Sequence, residues 1–185
     1  MNKYLLLHIL LLIAVLFGCG GGEQQKDPIA FAAEQRRTNL KNEIDSLEKR
    51  VNRKDAEFER GTALQLVRAY QDYYNQNMKD TLSGEYLFRA ASLSVSLKKP
   101  QQAINQLVTY YDTYKTASRR PEALYLVGFI YDSELQNAAK AEEFYKRVIE
   151  IYPENMWAEQ ARAALQFVGL SDEELIKKLE AGNQQ

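Results

Sequence analysis

The chain has 185 residues, 45% hydrophobic and 26% charged, which is the composition of one folded globular domain rather than of a disordered segment. Lys and Arg number 24 against 25 Asp and Glu, the net charge is −1, and no stretch gathers basic residues on one face, which argues against a nucleic-acid partner. The only cysteine is Cys19 and the only histidine is His8, so the rest of the chain is expected to hold no thiol or imidazole catalysis, no Cys/His metal site, no disulfide and no cofactor.

The first elements belong to export rather than to a fold. Lys3 supplies a positive start, and Tyr4 to Phe17 is an apolar run interrupted only by His8. This reads as a signal-peptide core, shorter than the about 20 apolar residues a membrane-spanning helix needs. It closes on Leu16-Phe17-Gly18-Cys19, which resembles the lipobox of bacterial lipoproteins. The resemblance implies cleavage before Cys19 and lipid attachment to its thiol, hence an anchor in a membrane. Several acyl chains together hold a protein far more firmly than one. Residues 19–33 run from Cys19 into Gly20-Gly21-Gly22 and are rich in Gly and Gln at their start, and they are expected to form a flexible tether.

From residue 34 the pattern is helical, with no convincing strand. Leu40, Ile44, Leu47 and Val51 recur at alternating steps of four and three, marking residues 34–60 as an amphipathic helix. The stripe fits either a helix packed on its own domain or a short coiled-coil seam joining two copies, although Lys54 interrupts the next apolar position. Gly61 marks a bend or a helix end.

Residues 61–181 are self-similar. Glu85-Tyr-Leu-Phe-Arg-Ala-Ala-Ser-Leu returns in altered form as Glu122-Ala-Leu-Tyr-Leu-Val-Gly-Phe-Ile, each followed by a break and a second helix. Tyr73, Tyr114 and Tyr152 stand at the ends of successive second helices, and the period is about 37 to 41 residues. Pro100 and Pro121 fit first helical turns, where no N–H is needed. Pro153 ends the helix before it. Ser171-Asp-Glu-Glu174 reads as a capping box opening a last short helix, Leu175 to about Leu179.

These residues resemble the tetratricopeptide repeat. In the best copy Leu124, Val127-Gly128, Tyr131, Ala141, Tyr145 and Pro153 occupy the pattern, with Leu124 where tryptophan is usual, Val127 where leucine is usual and one extra residue in the turn. The preceding copy offers Leu87, Ala90-Ala91, Ala103 and Leu107 but has Lys115 where the proline would be. Thr62 to Asn75 looks like the second helix of an earlier copy, and Trp157 to Phe167 like the first helix of a later one. The implied fold is all-α: a tetratricopeptide-like solenoid of antiparallel helix pairs preceded by an amphipathic helix.

In similar proteins the first helix of each pair lines a concave groove that holds a peptide or helix of a partner. Carried onto this sequence, Glu122, Tyr125, Phe129 and Asp132 would face the groove from the best copy, and Glu85, Phe88 and Ser92 from the weaker one. Core packing of Phe88, Tyr125 and Phe129 is the competing reading. A lipobox followed by such repeats is similar to BamD-like outer-membrane lipoproteins, Tol-Pal-associated repeat proteins and small repeat lipoproteins of Bacteroidetes-type bacteria. The resemblance implies a non-catalytic scaffold for other envelope proteins, accessory to outer-membrane protein assembly, or a coordinator linking peptidoglycan and division machinery to the membrane, self-associating through the Leu40 to Val51 stripe. Gly20, rather than Asp, after the lipid cysteine implies the outer membrane where enterobacteria-type sorting applies; the domain is expected to face the periplasm, with the cell exterior as the alternative. An enzyme would have to rely on carboxylates, but Glu142-Glu143 and Glu173-Glu174 are neighbours on helices and point to different faces.

Overall fold

In a computed structural model, residues 27–53 and 58–182 are described, and among them every regular element is a helix. Eight are present: α1 (Pro28–Val51), α2 (Arg60–Gln76), α3 (Thr81–Ser96), α4 (Pro100–Thr113), α5 (Arg120–Ser133), α6 (Ala138–Ile151), α7 (Met156–Leu165) and α8 (Asp172–Gly182). Cys19 lies outside the described residues, as do the apolar leader and the start of the expected tether. No helix among the described residues is long and apolar enough to cross a membrane.

Helix boundaries follow local chemistry. The Asp27 carboxylate accepts from the Ile29 N–H at 3.0 Å, so α1 starts at Pro28, inside the stretch expected to be tether. Proline costs nothing there because its missing N–H would have no helical partner. At its other end α1 stops at Val51, well short of residue 60, with Lys49 and Arg50 in a last turn whose partial negative charge they complement. Gly61 neither bends nor ends a helix and sits in the first turn of α2. Asp80 caps α3 by accepting from the Leu82 N–H at 3.0 Å, and it also accepts from Tyr73 Oη at 2.6 Å, tying α2 to the start of α3. Pro100 and Pro121 stand in the first turns of α4 and α5, as their chemistry requires. Ser171 and Glu174 form the reciprocal capping box, and α8 runs longer than expected, from Asp172 to Gly182. Ser171 N–H donates to the Glu174 carboxylate at 2.8 Å, and Glu174 N–H donates back to Ser171 Oγ at 3.3 Å.

The turn from α3 to α4 puts Lys98 in the left-handed region, φ 58°, and returns two N–H groups to the end of α3: Lys98 to Val95 O and Lys99 to Ser94 O, both at 2.9 Å. The α5–α6 turn uses the same device, with Gln136 at φ 48° and Asn137 N–H on Tyr131 O at 2.8 Å. The repetition seen in the sequence is therefore also a repetition of backbone conformation, with the extra residue absorbed in the second turn.

A boundary between Arg36 and Arg37 separates the head of α1 from the repeat body. Within that body, neighbouring helices pack in chain order, α2 on α3 on α4 and so on to α7, with α7 also touching α5. Apolar faces close into successive cores. Ile44 and Leu47 of α1 are buried with Leu66, Tyr70 and Tyr73 of α2 and with Tyr86 and Ala90 of α3. The next core joins α3, α4 and α5 through Leu87, Ala103, Leu107 and Val127. A third joins α5, α6 and α7 through Leu124, Ala141, Tyr145, Val148 and Ala158. Alanines at the crossings let the backbones approach, and aromatic rings fill what remains. The Leu40 to Val51 stripe is thus spent inside this chain, against side chains of α2 and α3. The seam between two copies would need the same side chains.

One buried polar pair interrupts the α3–α4 contact. Ser94 Oγ donates to Gln106 Oε1 at 3.0 Å, while Gln106 Nε2 has no hydrogen-bond partner among the described residues. A buried amide left half-satisfied costs about 1–3 kcal/mol, so replacing both partners with apolar groups removes a penalty. The double change Ser94→Ala with Gln106→Leu is expected to raise stability by about 1 kcal/mol in urea unfolding, whereas Ser94→Ala alone lowers it.

Candidate partner-binding face

The first helices of the pairs, α1, α3 and α5, lie side by side and enclose an open cleft of about 460 Å³, lined by Glu48, Tyr70, Glu85, Phe88, Ser92, Arg119 and Glu122 among others. Its walls carry a continuous alternation of charge. Glu48 of α1 accepts from Tyr70 Oη at 2.6 Å and from Arg89 at 2.7 Å. Arg89 reaches Glu85 one turn earlier on α3 at 3.0 Å. The second oxygen of Glu85 accepts from Arg119 at 3.0 Å, and Arg119 grips both oxygens of Glu122 at 2.7 and 2.9 Å. The sequence Glu48, Arg89, Glu85, Arg119, Glu122 crosses three helices without a gap.

Electrostatics follow the geometry. Hydrogen bonding to Glu48, outweighing the desolvation that opposes it, holds Arg89 more firmly charged than a free guanidinium. Arg119 is held the same way, chiefly by Glu122. Burial, then the bond to Glu48, pushes the Tyr70 hydroxyl up. Because the arginines are 40–46% exposed, each pair contributes at most about 1 kcal/mol and is screened by salt. The ladder fixes the register of α1, α3 and α5 more than it stabilises them.

The seven residues carried over from the repeat pattern fall into two groups. Glu85, Phe88, Ser92 and Glu122 line the cleft. Phe88 is its floor rather than its wall: only 5% exposed, it stands edge-on to Tyr110 at 4.5 Å with the Arg119 guanidinium 3.8 Å above it. Tyr125, Phe129 and Asp132 lie further along α5 and do not line the cleft. Tyr125 is half-buried between Tyr145 and Trp157, with ring centroids at 5.4 and 5.0 Å, whereas Phe129 is 45% exposed. Asp132 is half-buried and makes no hydrogen bond or ion pair with any described residue. Burial alone raises its carboxyl above the usual aspartate range.

That shift gives a pH test. A raised acid favours the native state at low pH, and the advantage is lost as pH rises through the folded value. Asp132→Asn is therefore expected to raise the Tm at neutral pH and to change nothing below about pH 3, where both folded and unfolded aspartate are protonated. A thermal melt series from pH 3 to 7 reads it. An equal effect at every pH would mean Asp132 is not desolvated.

Sequence reasoning missed Arg89 and Arg119. Signals were present: Arg89 is four residues after Glu85 and Arg119 three before Glu122, both helical neighbours. Their links to Glu48 and Glu85 on other helices carry no local signal. The glutamate pairs considered for catalysis behave differently: Glu142 pairs with Lys146 and Glu143 with Lys140 on the exposed side of α6. Glu173 and Glu174 are exposed on α8. No group of His, Cys, Asp and Glu placed to hold a metal occurs among the described residues.

The stacked antiparallel helix pairs and the open face along their first helices define an α-solenoid. Residues 121–155, which hold α5, α6 and the turn after them, match the tetratricopeptide repeat, so the chain carries at least one such repeat. No curated protein matches the chain. Repeats of this kind bind protein partners on a surface assembled from successive units, and no enzyme family is found in the chain.

Proposed function

We propose that the protein is a non-catalytic, lipid-anchored scaffold of the bacterial cell envelope that holds a peptide or helix of a partner protein against the first helices of its repeats. The observation that carries this is the face formed by α1, α3 and α5, an open cleft continued by exposed Phe129, on a chain with a tetratricopeptide match at residues 121–155. A lipobox-like Leu16-Phe17-Gly18-Cys19 supports lipid attachment at Cys19, and Gly20 in place of Asp supports the outer membrane. Within that setting the role is accessory to the assembly of outer-membrane proteins.

The test is crosslinking and co-purification of the intact protein from its own membranes, with Cys19→Ala as control. Wild-type protein should fractionate with the outer membrane, take up labelled fatty acid and recover barrel-assembly components, and the Cys19→Ala form should take up no label. Recovery of peptidoglycan or division proteins instead would replace the assembly role with that of an envelope coordinator. A wild-type protein that takes up no labelled fatty acid, or a Cys19→Ala form that takes up as much, would contradict the anchor.

A further inference from the structure

Along the face formed by the first helices, one step is electrostatically complete and the next is not. At the α3 step the ring of Phe88 is covered by the Arg119 guanidinium at 3.8 Å, and that guanidinium is also bound by Glu85 and Glu122. An aromatic surface and carboxylates thus share one cation, which the chain supplies from the residue just before α5. At the α5 step the ring equivalent to Phe88, Tyr125, is covered by Trp157 instead of a cation, and further along the same stripe, four and three residues on, stand exposed Phe129 and the carboxylate of Asp132. No cation among the described residues pairs with that carboxylate. The residue just before α7 is Asn155, whose side chain accepts from the Trp157 N–H at 3.0 Å and caps that helix instead. Asp132 is left half-buried and unpaired among the described residues.

We propose that the Tyr125–Phe129–Asp132 stripe receives a basic side chain, an arginine or lysine, from the bound segment of the partner protein, which pairs with the Asp132 carboxylate and lies against the exposed Phe129 ring. This rests on the scaffold reading and specifies its partner: a segment that presents a positive charge to α5. A partly dehydrated carboxylate beside aromatic faces is suited to a guanidinium, which can hydrogen-bond the oxygens and lie against a ring at once. The neighbouring cleft is a poorer reader of charge, because any ion entering it must displace an existing pair of the ladder. An acidic segment would meet Asp132 with like charge. A purely apolar one would leave it desolvated without a partner.

The chain's single tryptophan, Trp157, lies against Tyr125 and reports on the site by fluorescence. The full-length protein in detergent micelles is titrated with short acetylated, amidated peptide mixtures free of Trp and Tyr, which differ only in a fixed central residue: arginine, lysine, glutamate or citrulline. Citrulline keeps the shape of arginine without its charge. The arginine mixture is expected to bind on the order of tenfold more tightly than the citrulline mixture, with glutamate weakest. Asp132→Asn, which removes charge but little volume, is expected to abolish the preference for arginine while leaving citrulline binding unchanged. Lys146→Ala on α6 is expected to leave both unchanged. Equal binding of arginine and citrulline, a preference that survives Asp132→Asn, or no binding by any mixture overturns the proposal. The scaffold reading is judged separately by crosslinking from membranes: partners recovered undiminished by Asp132→Asn overturn only the basic-residue proposal, whereas a wild-type chain that recovers none overturns the scaffold reading itself.

Discussion

Tyr145→Ala is expected to be among the most damaging single substitutions in the chain, costing about 3–5 kcal/mol. Tyr145 is fully buried, packs under α5 against Tyr125, and belongs to the core that joins α5, α6 and α7. Truncation leaves a cavity that neighbouring rings cannot close, because Tyr125 is already held by Trp157 on its other side. Domains are stable by only about 5–15 kcal/mol, so this is a large share of the total. In a stacked array each unit leans mainly on its neighbours, and the damage should be local. Hydrogen exchange should speed up across α6 and α7 and much less across α2, and Trp157 emission should shift at lower urea than the helical CD signal. Uniform acceleration through all helices would show instead that the array unfolds as one unit.

Gly128→Val is the second, with an expected cost of about 2–3 kcal/mol from overpacking. A Cβ at position 128 would lie 2.9 Å from two ring carbons of Tyr145, closer than real contacts allow, and a tight 3.3 Å from Phe144 Cβ. The Tyr145 ring cannot yield because it is enclosed on all sides. Gly128→Ala meets the same obstacle but gains about 1 kcal/mol of helix propensity, so its net cost is smaller. Two comparisons isolate the cause. In a Tyr145→Leu background the penalty of Gly128→Ala should largely vanish, since the two changes act on one contact. Gly61→Ala, with open space around it in the first turn of α2, should stabilise by up to about 1 kcal/mol. Chemical denaturation of the four variants decides both.

Gly128 also shows why so much of this fold is legible without coordinates. The close crossing of α5 over α6 needs a glycine or alanine facing an aromatic ring, and the spacing of Gly128, Ala141 and Tyr145 announces it. Prolines at 100 and 121 and the Ser171–Glu174 box mark helix starts through hydrogen bonds local to the chain. Less legible is whatever depends on which helices become neighbours. The Leu40 to Val51 stripe is visible in the sequence, but its burial against α2 and α3 rather than a second copy is decided by packing. The start of α1 was hidden by the Gly/Gln-rich stretch before it, which masks the Asp27–Pro28 cap. Phe88 and Phe129 are both aromatics on first helices, yet one is floor and the other surface, because Arg119 and Tyr110 close over the first and nothing comparable among the described residues covers the second.

The charge ladder illustrates the same division. Glu85 and Glu122 stand out as repeat equivalents, but their partner Arg119 links them only because α3 and α5 lie side by side. The stripe from Tyr125 to Asp132 lies beyond that ladder, and Asp132 has no ion pair among the described residues.

The most direct test is site-specific photocrosslinking in living cells, with a photoreactive phenylalanine analogue placed at Phe129 on the first-helix face or at Glu143 on the exposed side of α6. Adducts to a partner protein from position 129 and none from position 143 are predicted. Equal adducts from both positions, or adducts from 143 alone, would contradict a partner held along the first helices.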